Sequence, residues 1–379
     1  MTTSDARPQP GAKYLLLATT VFLALGGMLM IFSASAVMDF LDSGNSYDHL
    51  LHQAVFLAIG LAALIVCSRL SEGFIRKVGW WVLLVSDAAL VFVLVSGVGK
   101  FGAVRWIDLG FTTLQPSEFA KLGCVLVTAG MMADRAKHPG TPWKDDLIKV
   151  LLAVGIPFGL VMLQPDMGTA MSIIVAVFVV LILGGLPGWM IAASGAVAGI
   201  SVPALIFAKG YRAARFLSFL DPTSDPQGAG YQILQARIAF GSGGLLGLGL
   251  GMSRQKIGYL PAAHTDFIFA IIGEELGLLG SAAVVLAFAL FCYAGIKLAM
   301  SAKDPYARLV SGGLTAMIVT QAIINMASVT GLMPVTGVPL PLVSYGGSSL
   351  VFTLGCIGLI LATTSARSRS GATARGRTS

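Results

Sequence analysis

Ten apolar stretches, near 14–38, 50–68, 79–98, 117–133, 147–163, 168–186, 188–208, 266–299, 307–330 and 345–365, follow one another along a chain of 379 residues. A helix needs about 20 residues to cross the hydrocarbon of a bilayer, and these stretches lie close to that length or above it. Hydrophobic residues make up 56% of the chain and charged residues only 11%, a balance that excludes an ordinary soluble domain. In lipid the backbone must satisfy its own N–H and C=O groups, so such stretches fold as helices. The expected architecture is an all-α polytopic membrane protein with ten transmembrane helices over 14–365. A tail at 1–13 precedes it and a basic tail at 366–379 follows.

Charge placement sets the expected orientation. Ten spans put both termini on one side, and the positive-inside rule assigns that side. Arg7, Lys13, Arg69, Arg76, Lys77, Arg135, Lys137, Lys144, Lys149 and the C-terminal arginines fall on one side, against Lys100, Arg105 and Lys121 on the other. Both termini are therefore expected in the cytoplasm of a cell whose inner membrane holds the chain. The first apolar stretch is too long for a signal-peptide core and reads as a retained span. The net charge of +7 follows from this topology and from attraction to anionic lipid, so it implies no nucleic-acid partner. Cys67, Cys124, Cys292 and Cys356 all lie in apolar stretches without paired spacing. Neither a disulfide framework nor a zinc site is expected.

Residues 230–252 are apolar enough to imitate an eleventh span. Arg237 and six glycines within 241–251 argue otherwise, because each glycine weakens a helix by about 1 kcal/mol relative to alanine. Residues 209–265 are read as a large extracytoplasmic loop between spans 7 and 8, lying on the membrane surface or packing over the bundle. The stretch 266–299 exceeds a bilayer at ~1.5 Å per residue. It is expected to tilt, bend near Gly277 or Gly280, or project.

Ionisable groups in such surroundings are costly and usually functional. The segment Ala263–Gly277 places His264, Thr265 and Asp266 at the mouth of an apolar helix, with Glu274 and Glu275 two turns deeper. A partly desolvated Asp266 could take a proton from a substrate hydroxyl; an aspartate there would equally serve as a helix N-cap. Of the two adjacent glutamates, at most one can face the Asp266 side of the helix, and a structural ion pair inside the bundle is the simpler role for either. Arg105 with Glu118 and Lys121 could cradle a pyrophosphate, although Glu118 and Lys121 at i and i+3 also suit a local salt bridge. Asp166, in Gln164-Pro165-Asp166, is either a turn residue or part of the same outer cavity. Arg212, Arg215 and Lys256 supply loop cations suited to a lipid-linked phosphate. Ser344 and Ser348 flank Gly346-Gly347 in a proline-rich turn that exposes hydroxyls and backbone N–H groups. Asp87, inside the third span, has no partner apparent from the sequence.

The segments RWIDLG and QPSEFAK within 105–121, QPDMGTA at 164–170, FLDPTSDPQGAGYQ at 219–232, GSGGLLGLGLG at 241–251, YLPAAHTDFIFAIIGEELG at 259–277 and GVPLPLVSYGGSSL at 337–350 together resemble the SEDS family, which includes FtsW and RodA. The likeness spans about residues 14–365 and preserves the family order of motifs. It implies ten spans and a peptidoglycan glycosyltransferase that polymerises lipid II outside the cytoplasmic membrane. It also implies that Asp266 is the base. This carboxylate would activate the C4 hydroxyl of the acceptor GlcNAc for an inverting attack on the MurNAc anomeric carbon of the nascent glycan strand, releasing undecaprenyl pyrophosphate. A divalent cation, Mg or Mn, could help neutralise that group, but no ligand spacing marks a metal site and no organic cofactor is implied.

The chain departs from the family at Ala262, where many relatives carry Glu. Ser253-Arg254-Gln255-Lys256 and Tyr259-Leu260-Pro261 resemble the FtsW branch, which works in cell division, more than the RodA branch of elongation. Either branch implies a class B penicillin-binding protein as partner, and division adds the other divisome proteins. The rival reading is a lipid II flippase, which would need polar groups lining a route from one face to the other; a scaffold for division partners would leave the carboxylates unexplained.

Overall fold

The apolar stretches fold as helices. In the computed structural model the described residues are 10–375 apart from 97, 101, 102, 109, 111, 112, 139, 141, 208, 209 and 229; the side chains of 96, 98–100, 103, 104, 198, 200–207, 211, 212 and 365–375 lie outside the description. The helices are α1 (Pro10–Ser43), α2 (Asp48–Cys67), α3 (Glu72–Ser96), α4 (Pro116–Arg135), α5 (Trp143–Leu163), α6 (Met167–Leu183), α7 (Gly188–Phe207), α8 (Gly210–Leu220), α9 (Tyr231–Gly243), α10 (Ile268–Ser301), α11 (Pro305–Val329) and α12 (Gly347–Arg375). Seven of them, α1, α2, α3, α5, α10, α11 and α12, are long and apolar enough to cross a membrane, and Met167–Leu183 and Gly188–Val197 are shorter apolar helices. The chain is a multi-pass, predominantly helical membrane protein. Helix α12 continues to Arg375, into the expected C-terminal tail at 366–379.

Between α3 and α4 the chain forms a small antiparallel sheet that the apolar pattern did not reveal. Its strands β1 (Val98–Lys100), β2 (Ala103–Asp108) and β3 (Thr113–Leu114) pair in that order, with Ile107 opposite Leu114. The sheet hangs β2 over the start of α4.

Helices α4, α6, α10, α11 and α12 contribute most of the buried core. Helices α2, α3 and α5 instead leave rows of large apolar side chains exposed, among them Val55, Ile59, Trp81, Val85, Leu151 and Ile156, as a lipid-facing surface would. Small residues let backbones approach where helices cross. A side chain at Gly123 on α4 would collide with the Leu83 backbone of α3, and one at Gly27 on α1 with Leu342 and Val343.

The long stretch at 266–299 breaks at Gly277, whose φ of +67° interrupts α10; glycine alone enters that region without a Cβ penalty. A broken helix frees backbone groups that lipid cannot satisfy, and the glycine-rich segment after α9 supplies their partners. Leu248 N donates to Glu274 O at 2.9 Å and Gly249 N to Glu275 O at 3.0 Å, while Leu278 N donates to Gly244 O at 2.9 Å and Leu279 N to Leu245 O at 3.3 Å. Such contact needs the absence of side chains on both strands of backbone: a Cβ at Gly277 would meet Gly247 and Leu245, and one at Gly243 would meet Gly273. Leu245, Leu246 and Leu250 point outward and are exposed. Of the two sequence expectations for 209–265, packing over the bundle is therefore the one that describes 243–253.

Candidate active site

One cavity of about 900 Å³ opens at a single end of the bundle. Its walls come from the start of α2 (His52, Phe56), from β2 (Arg105, Trp106, Asp108), from the approach to and first turn of α4 (Gln115, Glu118), from the α5–α6 turn (Pro165, Asp166, Thr169), from Arg215 on α8, from residues 261–266 and from residues 335–349. The starts of α2, α4, α6 and α12 meet at this cavity, and the segments leading into α4, α6, α10 and α12 join them in its lining.

Asp266 sits in the turn before α10 and lines this cavity. The N-cap position of α10 falls at Phe267 and no side chain caps it, so the capping role open in the sequence is not taken and the Asp266 carboxylate stays directed to other uses. The backbone beneath it is fixed through three consecutive carbonyls. His264 O accepts from Tyr345 N at 2.9 Å, Thr265 O from Ser344 Oγ at 2.6 Å, and Asp266 O from Asn325 Nδ2 at 2.7 Å. Asn325 donates also to Val338 O at 2.8 Å, and Ser344 Oγ accepts from Leu340 N at 2.8 Å. One asparagine and one serine thus clamp the Asp266 turn to α11 and to the turn preceding α12. Thr265 Oγ1 closes the turn locally on Ala262 O at 3.1 Å, and Ala262 itself adopts φ of +57°.

Burial, aided by the Asp166 carboxylate and opposed by Arg105 and Arg215, raises the pKa of Asp266 to about 6. The carboxylate is thereby a base that is charged near neutral pH yet holds a proton more readily than an exposed aspartate. Burial, together with His49, lowers His264 to about 4, against the pull of Asp39. His264 is therefore neutral over the physiological range.

Arg105 is anchored rather than free. Its Nε donates to Gln164 O at 3.3 Å, another guanidinium nitrogen donates to Pro165 O, and Nη1 lies 3.9 Å from Asp166 Oδ1. Asp166 in turn caps α6 by accepting from Thr169 N at 3.2 Å and Thr169 Oγ1 at 2.8 Å, and it accepts from Gln115 Nε2 at 3.1 Å. The two sequence roles for Asp166, turn residue and cavity residue, therefore coexist. Arg215 lines the cavity and donates to Val335 O at 3.3 Å. Ser348 lines it as well, whereas Ser344 is buried behind the Asp266 turn. Arg212 lies on α8, with its side chain outside the described residues.

Several sequence candidates are placed elsewhere. Lys121 is buried and donates to Glu118 Oε1 at 2.8 Å and to Gln321 Oε1 at 2.6 Å, so the i, i+3 salt bridge describes it and it does not line the cavity. Glu118 does line the cavity, and its Oε2 is buried with no hydrogen-bond partner among the described residues. Lys256 bonds Glu275 Oε1 at 2.8 Å and Ser33 Oγ at 3.2 Å. Ser33 Oγ and Ser253 N also donate to Glu275, while Glu274 accepts from Ser253 Oγ, Arg254 N and Gln255 N. Both glutamates are thus buried anchors for the segment after α9, and Lys256 is the counter-ion of Glu275 and does not line the cavity. Adjacent helical residues can share this task because the segment folds over both of their faces.

Sequence reasoning missed His52, Gln115, Tyr345 and Asn325. Nothing in their local spacing marks them, since each reaches the site from a different helix or turn. Among the described residues no group of three or more His, Cys, Asp or Glu side chains is placed to hold a metal ion.

The chain is similar to known proteins over most of its length. A family model described as cell cycle protein, for FtsW, RodA and SpoVE, matches residues 13–369. A probable peptidoglycan glycosyltransferase FtsW of Pseudomonas fluorescens is 38% identical over 88% of this chain and 83% of its own length. The stage V sporulation protein E of Bacillus subtilis is 36% identical over 95% of this chain and 98% of its own. Among solved structures, a chain of a peptidoglycan synthase complex that coordinates polymerization and crosslinking superposes with a TM-score of 0.75 at 30% identity, covering 95% of this chain and 98% of that one. The rod shape determining protein RodA of Thermus thermophilus gives 0.67 at 29% identity, covering 92% and 95%. The chain belongs to the FtsW, RodA and SpoVE family of cell cycle proteins.

Proposed function

We propose that this protein is a peptidoglycan glycosyltransferase that polymerises lipid II at the outer face of the cytoplasmic membrane, in septal synthesis during cell division. The observation that carries the reading is Asp266: a carboxylate with its pKa raised to about 6, held by three backbone hydrogen bonds at the edge of a cavity that two arginines also line. That volume, about 900 Å³, lies at the upper end of the roughly 300–1,000 Å³ of small-molecule sites and suits two saccharides side by side.

In this reading all ten long helices, α1–α7 and α10–α12, span the bilayer, and 209–265 lies between spans 7 and 8 on the outer side. Both termini are then cytoplasmic, and the cavity opens outward. Asp266 takes the proton of the acceptor C4 hydroxyl as its oxygen bonds to the donor anomeric carbon. The bond from that carbon to the diphosphate breaks on the opposite face, giving inversion. Arg105 and Arg215 supply positive potential for the departing charge. A divalent cation, Mg or Mn, would accompany the diphosphate as a counter-ion without a protein cage; no step depends on it.

The partners proposed are lipid II and the growing strand, a class B penicillin-binding protein that crosslinks it, and the divisome. Several curated relatives at 35–40% identity are named FtsW, which favours division over elongation. Against a flippase stands the lining of the cavity, which comes from one end of the bundle and does not include Asp87. Purified protein supplied with purified lipid II, with and without a class B transpeptidase, tests the proposal. Glycan strands are expected; lipid II moved across vesicles without polymerisation would select the flippase.

A further inference from the structure

The two carboxylate oxygens of Glu118 are treated differently by the fold. Glu118 stands in the first turn of α4, just after Pro116, and only 3% of the residue is exposed. Its Oε1 accepts from Lys121 Nζ at 2.8 Å, whereas Oε2 is buried and has no hydrogen-bond partner among the described residues. Buried polar atoms are paired in the great majority of cases, so a buried acceptor without a protein partner has capacity for a donor from outside the chain. Glu118 lines the cavity that holds Asp266. A molecule bound there can supply that donor.

The carboxylate is fixed from behind. Lys121 is buried too, and its Nζ also donates to Gln321 Oε1 at 2.6 Å, while Gln321 Nε2 donates to Pro339 O at 3.1 Å. This series crosses from α4 to α11 and returns to the cavity wall at Pro339. The positive end of α4 and the Lys121 ammonium both favour negative charge on Glu118. Protonating Glu118 would leave that ammonium buried without a counter-charge, which is costly. Glu118 is therefore suited to accept a hydrogen bond and keep its charge, a role distinct from that of Asp266. An ionised carboxylate is an acceptor only, so it welcomes O–H and N–H groups and repels a phosphate. Arg105 and Arg215, which enter from β2 and α8, suit the anionic leaving group instead, and Phe56, Trp106 and Tyr345 add aromatic surface for the C–H faces of a sugar.

Resting on the glycosyltransferase reading above, we propose that Glu118 Oε2 binds the saccharide of lipid II, accepting a hydrogen bond from a sugar hydroxyl or from an acetamido N–H and so fixing the orientation of the ring in the cavity. Lys121 and Gln321 touch no substrate in this scheme; they hold the carboxylate in place and balance its charge. The spacing of Glu118 and Lys121 then serves recognition of the sugar, and the pyrophosphate cradle expected from it with Arg105 is left to the arginines. The simpler structural role, in which Glu118 only neutralises Lys121 and water meets Oε2, makes a different forecast.

The test is lipid II polymerisation by wild type, Glu118→Gln and the double variant Glu118→Leu with Lys121→Met, with the melting temperature measured for each. Glutamine must turn its N–H₂ group either to Lys121 or to the sugar, so a donor faces a donor, and kcat/KM is expected to fall roughly 10- to 100-fold. In the double variant both charges are gone and apolar side chains fill their space, so the melting temperature should return towards the wild-type value while kcat/KM stays depressed. Recovery of kcat/KM together with the melting temperature overturns the sugar contact and leaves only a structural ion pair. Lipid II analogues with one sugar hydroxyl removed, or with an acetamido nitrogen methylated, locate the donor. One of them should slow the wild type as much as Glu118→Gln does, yet slow that variant no further, as two changes to one contact must. Losses that multiply independently for every analogue overturn the assignment. Active wild type with fully active Glu118→Gln rejects the contact and leaves the glycosyltransferase reading standing, whereas inactive wild type rejects both.

Discussion

Replacing Lys256 by Met separates the anchor found in the structure from the phosphate role its sequence position suggested. The Lys256 and Glu275 side chains are 3% and 0% exposed and their charged atoms lie 2.8 Å apart. At an effective dielectric of about 20 that separation corresponds to an attraction of about 6 kcal/mol, most of it offset by the cost of taking both ions out of water. The net value of the pair is therefore small, but breaking it is not. Removing the ammonium leaves the Glu275 carboxylate buried with only Ser33 Oγ and Ser253 N as donors, and uncompensated buried charges of this kind cost about 3–5 kcal/mol. Lys256→Met should accordingly lower the thermal unfolding midpoint in detergent micelles. Adding Glu275→Leu should recover much of the loss, because the second change removes the stranded charge. An unchanged midpoint for Lys256→Met, together with a large rise in KM for lipid II, would refute the anchor and reinstate the phosphate contact.

Other outcomes follow from the same geometry. Since the base form of Asp266 is the ionised one and its pKa is raised to about 6, kcat/KM should fall as pH drops through that value. Arg105→Gln removes a charge that favours the ionised form and should move the midpoint upward; a pH profile measured with each protein checks both. Gly277→Ala forces a side chain into the left-handed region, which costs about 1–2 kcal/mol, and against the Leu245 and Gly247 backbone. The total should exceed about 2 kcal/mol in an unfolding measurement. Asn325→Leu strands the carbonyls of Asp266 and Val338, at about 1–3 kcal/mol for each buried group left unpaired. Because it loosens the Asp266 turn, kcat should fall more than KM rises.

Much of this molecule was legible before its structure was described. Hydrophobic stretches located the long helices because lipid leaves the backbone no other solution, and the excess length of 266–299 together with its glycines pointed to the break at Gly277. Asp266, Arg105, Asp166 and Arg215 line one cavity, as their shared placement on the expected outer side suggested. The small sheet escaped notice because β1 and β3 are two or three residues long and show no alternation. Lys121 and Lys256 illustrate a deeper limit. A lysine beside an apolar stretch reads alike whether it meets a phosphate or a buried glutamate, and only the fold brings Gln321 to one and Ser33 to the other. The glycines of 241–251 were legible as helix breakers but not as partners for the freed backbone of α10, since that pairing joins two segments some thirty residues apart.

The central claim is that Asp266 is the base of glycosyl transfer, and polymerisation of purified lipid II by Asp266→Asn beside wild type addresses it directly. Asparagine keeps the size of the side chain and the three backbone hydrogen bonds of its turn, so the variant should fold and retain its transpeptidase partner. Glycan synthesis is expected to fall by about 10²–10⁴-fold. A variant that assembles glycan strands at nearly the wild-type rate would contradict the account.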